Sequence, residues 1–184
     1  MKLLCGTIRN SYEEFKNVRT VTTCAMFGAL AVILGYFTVQ IGDFIKIGFS
    51  SLPNEAVAWL FGPVAAPLFG AAMDLIKYMI KPTGAFFPGF TLTAAVAGFI
   101  NGIFLYRKPL KLVRVFGVKL AVILICDIFL NTLWLSVLYG KGFMALLPLR
   151  VLKNMIMWPI ESVLMFSVIR ALESTGIFRL LQTK

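Results

Sequence analysis

Arg150, Lys153 and Asn154 lie in LPLRVLKNMI, residues 147–156, inside one of the most apolar stretches of the chain. Their i, i+3, i+4 spacing puts all three on one face of a helix. A charge at bilayer depth costs about 2.5–3.5 kcal/mol on insertion scales, so such residues face a partner or a water-filled cavity rather than lipid. An arginine grips a carboxylate with two parallel hydrogen bonds, and a lysine adds a point charge. The trio therefore reads as a polar site, open toward water, that holds an anion. Asp74, Lys77 and Tyr78 interrupt a second apolar run, and Asn131, Thr132 and Trp134 a third. Asp74 and Asn131 can hydrogen-bond a polar heterocycle, while Trp134, Phe86, Phe87 and Phe90 offer flat apolar walls. An aromatic, nitrogen-rich molecule with a carboxylate tail fits that set. Each residue also has a structural role open to it: Trp134 in an interfacial aromatic belt, Asn131 in an interhelical bond, Asp74 and Lys77 as an i, i+3 ion pair. Asp127 and Glu161 are further intramembrane acids, with Lys119 a candidate partner for Asp127.

These residues need a membrane to sit in. Of 184 residues, 59% are hydrophobic and 14% charged, against about 25% charged in a typical soluble domain. Several runs approach the roughly 20 apolar residues that cross a bilayer as a helix, and none shows the short period-2 alternation of barrel strands. The expected fold is an all-α integral membrane protein of six transmembrane helices with both termini cytoplasmic. Residues 1–20 form a cytoplasmic lead-in and 21–184 a single six-helix substrate-binding domain. The spans are expected at about Thr22–Val39, Leu52 to the FGPVAAP turn, Ala65–Ile80, Phe90–Tyr106, Lys119–Tyr139 and Met144–Leu172. Pro159 is expected to kink or open the last of these. The segment QIGDFIKIGFSSLPNE is too polar for mid-bilayer, so part of it should lie at an interface or over a cavity.

Charge placement sets the orientation. Lys2, Arg9, Lys16 and Arg19 precede the first span, Arg107, Lys108, Lys111, Arg114 and Lys119 flank the fourth-to-fifth connection, and Arg170, Arg179 and Lys184 follow the last span. With six spans these three groups share one side, which the positive-inside rule makes cytoplasmic. Lys46, Lys77, Lys81, Lys141, Arg150 and Lys153 are left at the outer ends, where Lys81 and Lys141 can snorkel. The net charge of +10 is thus a topology signal, and no nucleic-acid partner is expected. In CAMFGALAVILG, Ala25 and Ala29 form a small-xxx-small pair extended by Gly28 and Gly35; Ala94, Gly98 and Gly102 repeat the pattern. Such faces admit a close helix, within the chain or from another subunit.

Several chemistries are excluded. Three scattered cysteines and no histidine argue against a disulfide framework, a metal site or a histidine base, and no cofactor is expected. Residues 1–20 lack the apolar core of a secretory signal. No GxxxxGK[ST] run is present, so any ATPase belongs to another chain.

The stretches LPNEAVAWLFGPVAAPLFGAAMDLIKY, PTGAFFPGFTLTAAVAGFINGIFLYRKP and NTLWLSVLYGKGFMALLPLRVLKNMIMWPI resemble the substrate-binding S-components of energy-coupling factor (ECF) vitamin transporters, specifically the folate branch. That resemblance implies a six-helix protein of the bacterial plasma membrane that captures folate or reduced folates from outside. It also implies association with a shared transmembrane coupling subunit, touched through Ala25 and Ala29, and with two cytoplasmic ATPases. Loops near Gly42–Ser50 and Lys81–Pro88 would gate the pocket. The expected substrate residues are Asp74, Lys77, Tyr78, Phe87, Phe90, Asn131, Trp134, Arg150, Lys153 and Asn154, with the pterin on Asp74, Asn131 and Trp134. No enzymatic activity is expected. The alternatives are an S-component for another vitamin, a membrane enzyme acting on an anionic lipid, or a structural subunit. The missing histidine and the lack of a DxxxD cluster weigh against the enzyme.

Overall fold

The computed structural model describes residues 11, 18–41, 45–82, 85–106, 108, 110–140 and 142–174. The rest of the lead-in and of the C-terminal tail, with Lys141, falls outside the described residues. Helix α1 spans Val18–Tyr36. It is followed by strands β1 (Val39–Ile41) and β2 (Ile45–Ile47), paired antiparallel with Val39 opposite Ile47. This hairpin is the one departure from an all-helical chain among the described residues, and it falls in the segment judged too polar for mid-bilayer. Helix α2 spans Leu52–Ile80 and α3 spans Pro88–Leu105. Helix α4 (Leu112–Val122) runs through a π-helical stretch, Ile123–Leu130, into α5 (Asn131–Tyr139). Gly140, at φ +63°, ends α5 in the left-handed conformation that glycine adopts without penalty. Helix α6 spans Phe143–Ser174.

The expected second and third spans are two arms of one helix. They are separated at a single residue, Gly62, whose φ of +81° and ψ of −163° leave helical space. The first arm, 52–61, is about 15 Å long at 1.5 Å per residue, half of a hydrocarbon core about 30 Å thick. The second arm, 63–80, is about 27 Å by the same measure. The short arm is therefore only half as long as a membrane crossing requires. Nearly all of it is buried, from Glu55 through Gly62. A buried helix break leaves backbone groups without helical partners. Ser11, fully buried, answers them: its hydroxyl donates to the Phe61 carbonyl at 2.5 Å and accepts from the Val64 N–H at 3.1 Å.

The second arm packs antiparallel on α3 along a seam of small residues. The α3 glycines Gly98 and Gly102 sit against the backbone of Ala66 and Pro63, and Gly70 of the second arm meets the Ala94 carbonyl. Here the Ala94, Gly98, Gly102 pattern is a contact within the chain. The core gathers Trp59, Leu60, Phe61, Phe69 and Met73 from α2, Leu105 from α3, Val115 and Val118 from α4, and Met165 and Ile169 from α6. Outward faces carry large exposed apolar side chains such as Met26, Leu68, Phe99, Phe129, Leu152 and Ile156, the surface lipid demands. Four helices, α1, α2, α3 and α6, are each long and apolar enough to cross a membrane.

One boundary is corrected. Helix α4 begins at Leu112, seven residues before the expected boundary at Lys119, so Lys119 lies inside a helix. Helix α6 is one helical element with Pro148 and Pro159 inside it.

Two glycines, one in the seam and one outside it on α4, carry opposite forecasts. A Cβ on Gly98 would lie 2.6 Å from the Ala66 carbonyl oxygen, and such overpacking costs about 1–3 kcal/mol; Gly98→Ala should lower the thermal midpoint of the detergent-solubilised protein. A Cβ on Gly117 meets nothing within 4 Å, so Gly117→Ala should raise it, by up to about 1 kcal/mol of helix propensity.

Candidate functional site

A cavity of about 560 Å³ opens between the helices, within the roughly 300–1,000 Å³ typical of small-molecule sites. Its mouth is formed by the C-terminal end of α1 (Gly35, Tyr36), the hairpin connection (Thr38, Gly48, Ser50), the end of α2 (Lys77, Tyr78, Lys81) and the segment before α3 (Phe86, Phe87). Its base is lined by Asn54 and Glu55 of the first α2 arm, Asn101 of α3, Lys119 of α4 and Glu161 of α6. Along α3 the lining runs from Phe90 to Asn101, eleven residues or about 16 Å of helix.

Lysines stitch the mouth. Lys77 Nζ donates to the Ser50 carbonyl at 3.2 Å, and Lys81 Nζ to the Tyr36 carbonyl at 3.3 Å. Asp74 accepts the Thr91 hydroxyl at 2.8 Å. The bonds of Asp74 and Lys77 thus lead to other elements rather than forming the expected i, i+3 pair. Aromatic rings cluster here, with Tyr78 and Phe86 centroids 5.1 Å apart and Phe87 and Phe90 6.2 Å apart. The π-helical stretch carries Asp127, whose carboxylate accepts the Asn131 amide at 3.1 Å and whose backbone carbonyl accepts Arg150 Nη1 at 3.0 Å. π-turns inside helices often mark functional sites; this one aims a carbonyl at the cation on α6.

The base holds an ion triad built on a buried pair. Lys119, 3% exposed, donates to Glu55, itself 3% exposed, and lies 3.0 Å from Glu161 Oε2. The expected Lys119–Asp127 pair does not form, because both acids that engage Lys119 come from other helices. Lys119 also leaves the set of cytoplasmic-flank cations. Among the described residues, Glu55 Oε2, Asn54 Oδ1 and Asn101 Oδ1 are buried without a hydrogen-bond partner, and all three side chains belong to the cavity lining.

Nine of the ten expected substrate residues, Asp74, Lys77, Tyr78, Phe87, Phe90, Asn131, Arg150, Lys153 and Asn154, line this one cavity. Trp134 does not. It stands behind the wall, its ring 5.5 Å from Phe87 and its indole N–H donated to Thr93 at 3.0 Å. Ala25 and Ala29 lie exposed on α1, while Gly28 faces Met73 and Phe69 and Gly35 faces Lys77. Of the two gating segments, Gly42–Phe44, Thr83 and Gly84 lie outside the described residues, and Gly48, Ser50, Lys81, Phe86 and Phe87 line the mouth. Sequence reasoning missed Asn54, Glu55 and Asn101. The signal was present: a glutamate and two asparagines within apolar runs, each costly unless paired.

Comparison with known proteins now bears on the site. Residues 19–169 match the family model for the substrate-specific component of ECF transporters. The chain is 34% identical to a folate transporter FolT of Clostridium novyi, over 82% of this chain and 88% of that protein. It is 32% identical to a FolT of Leuconostoc mesenteroides, over 79% and 81%. Among solved structures it superposes on FolT bound with folic acid with a TM-score of 0.78 at 30% identity, covering 84% of this chain and 95% of that one. It shares its fold with a biotin S-component of an ECF-type transporter, TM-score 0.67 at 21% identity, over 90% and 96%.

The triad carries a stability forecast. Lys119→Met leaves the buried Glu55 carboxylate and the half-buried Glu161 carboxylate without their cation, and breaking a buried ion pair from one side costs about 3–5 kcal/mol. Thermal unfolding in detergent should show a large drop in midpoint, far beyond that of Lys108→Met on the exposed connection.

Proposed function

The chain belongs to the substrate-specific components of ECF transporters, and from that membership we propose how it works: as the high-affinity folate-binding subunit of an ATP-driven uptake system, taking folate or reduced folates from the outer face of a bacterial plasma membrane. It is a binding subunit and not an enzyme. One observation carries the substrate assignment. A single cavity brings Lys77, Arg150 and Lys153 together with Tyr78, Phe87 and Phe90, and a folate needs both cations for its carboxylates and flat apolar walls for its rings. Arg150 presents a planar donor fork suited to a carboxylate, and Lys153, one turn on, adds charge on the same helix face. Asp74, Asn131 and Asn154 line the remaining polar wall, and Trp134 holds Phe87 in place from behind.

The topology follows from counting the two α2 arms separately, which gives six membrane segments. Val18, Gly62, Tyr106, Leu112 and Ser174 then fall at the cavity's base end, and Tyr36, Ile80, Pro88, Tyr139 and Phe143 at its mouth end. Arg19, Lys108, Lys111, Arg114 and Arg170 cluster at the base end, so that side is cytoplasmic and the cavity opens outward. Both termini are cytoplasmic. The segments around Gly42–Ser50 and Lys81–Pro88 close over bound ligand. The exposed Ala25–Ala29 face receives the shared coupling subunit, whose two ATPases supply the energy that this chain has no motif to supply.

Two measurements test this. Folic acid should quench tryptophan emission of the purified protein saturably. Arg150→Ala should weaken binding about 10- to 100-fold, the worth of one charge-assisted hydrogen-bond set, and Trp134→Phe should remove most of the signal; folded protein that ignores folic acid would sink the assignment. Separately, Ala29→Trp should abolish co-purification with the coupling subunit and ATPases while folic acid affinity of the isolated chain stays the same; retained assembly would remove this face from the interface.

A further inference from the structure

The start of α3 is poorly capped. Phe87 stands at its N-cap and gives the first turn no side-chain hydrogen bond, and Pro88 follows it. Apolar residues are weak N-caps, and the first N–H groups of a helix have no partner within it. An end of this kind frays, yet this one carries Phe87 and Phe90, which line the cavity near its mouth. Contacts from two other helices compensate. The Trp134 N–H of α5 is donated to the Thr93 hydroxyl at 3.0 Å, and that hydroxyl donates in turn to the Gly89 carbonyl at 2.9 Å. The Trp134 ring also lies against the Gly89 backbone: a Cβ at residue 89 would stand 2.5 Å from its Cδ2. From the other side, Asp74 of α2 accepts the Thr91 hydroxyl at 2.8 Å.

Resting on the folate reading above, we propose that Thr93 is a positioning residue: the node of a relay from Trp134 through Thr93 to Gly89, by which α5 holds the first turn of α3 and sets how long bound ligand stays. Thr93 is buried. Its hydroxyl has one proton to donate and lone pairs to accept with; the proton goes to Gly89, and a lone pair takes the Trp134 N–H. Each bond in such a chain polarises the next, so losing the hydroxyl breaks the whole link. Gly89 lies between Phe87 and Phe90 in sequence, so holding its backbone holds both rings. Phe87 then rests 5.5 Å from Trp134, and Phe90 meets Phe87 edge-on at 6.2 Å. The bond from Thr91 to Asp74 gives the turn a second fixed point on α2. With the relay cut, the turn frays and the aromatic wall stands in a smaller fraction of molecules. Affinity falls by that fraction, although Trp134 itself lies outside the cavity lining.

The test follows release of radiolabelled folic acid from the purified full-length protein, chased with excess unlabelled folic acid. Thr93→Val keeps the shape of the side chain and removes both bonds. Release should be about tenfold faster than from wild type, the effect of leaving a buried N–H unpaired. Association should change little, because changes of this kind fall mainly on dissociation. Thr93→Ser keeps the hydroxyl and should release at close to the wild-type rate. Trp134→Phe keeps a ring beside Phe87, loses the N–H, and should also speed release; it serves if Thr93→Val fails to fold. Trp158→Phe gives up an indole bond of the same kind, to the Phe116 carbonyl at 3.2 Å, away from the cavity, and should leave release unchanged. Wild-type release rates in folded Thr93→Val or Trp134→Phe overturn the positioning role and leave the folate reading standing. So does release from Thr93→Ser as fast as from Thr93→Val, or equal acceleration by Trp158→Phe. Folded wild-type protein that does not bind folic acid overturns both.

Discussion

A lysine in the middle of a membrane protein must be answered by acids, and the answer here ties three helices together. Lys119 of α4 reaches Glu55 on the short arm of α2 and Glu161 on α6. Desolvating those groups is expensive, and removing one partner leaves the others in an environment with no substitute. The relative placement of α2, α4 and α6 at the base of the cavity is therefore fixed by the need to keep three charges within reach. Specific ionic contacts of this kind are more restrictive than apolar packing, which in lipid gains little from one arrangement over another.

The short α2 arm depends on the same constraint. An arm of half the membrane thickness exposes its start to the interior of the protein, and the space above it is the cavity. The hairpin connection, the ends of α1 and α2, and the segment before α3 enclose that space, tied by Lys77 and Lys81 to backbone carbonyls. Below it the arm ends at Gly62, where Ser11 replaces the interrupted helix bonds. The seam of glycines between the second arm and α3 gives a rigid wall against which ligand-facing residues are held. Cavity, short arm and seam are parts of one solution to burying polar groups among apolar helices.

Much of this was legible in the sequence. The cations and aromatics that line the cavity announced themselves as polar interruptions of apolar runs, and i, i+3, i+4 spacing grouped Arg150, Lys153 and Asn154 correctly on one wall. The small residues of α3 were read as a packing face and serve as one. What failed was pairing at long range. Lys119 looked like a flank cation because its neighbours Lys111 and Arg114 are; its partner Glu55 is 64 residues away, and no local pattern connects them. Asp74 and Lys77 satisfied a helical spacing rule, but tertiary partners took both. Trp134 bonds Thr93 and packs on Phe87, tertiary partners that its residue type does not reveal. The Gly62 break was read as a turn between two spans, and its reduction to one residue depends on a hydroxyl contributed from residue 11.

That arrangement has a consequence for the order in which the protein is made. Translation produces Glu55 well before Lys119, and Glu161 later still, so the short arm enters the bilayer ahead of both groups that will accompany its acid. Ser11 is made first of all, yet it has nothing to cap until Phe61 and Val64 follow. The break can be sealed once Val64 has followed Ser11 and Phe61, but the charged base cannot exist until Lys119 and Glu161 have been made. The cavity is assembled last, when α4 and then α6 arrive beside an arm that has been waiting with an unmatched carboxyl group. The insertion machinery, rather than the finished fold, must shelter that group in the interval.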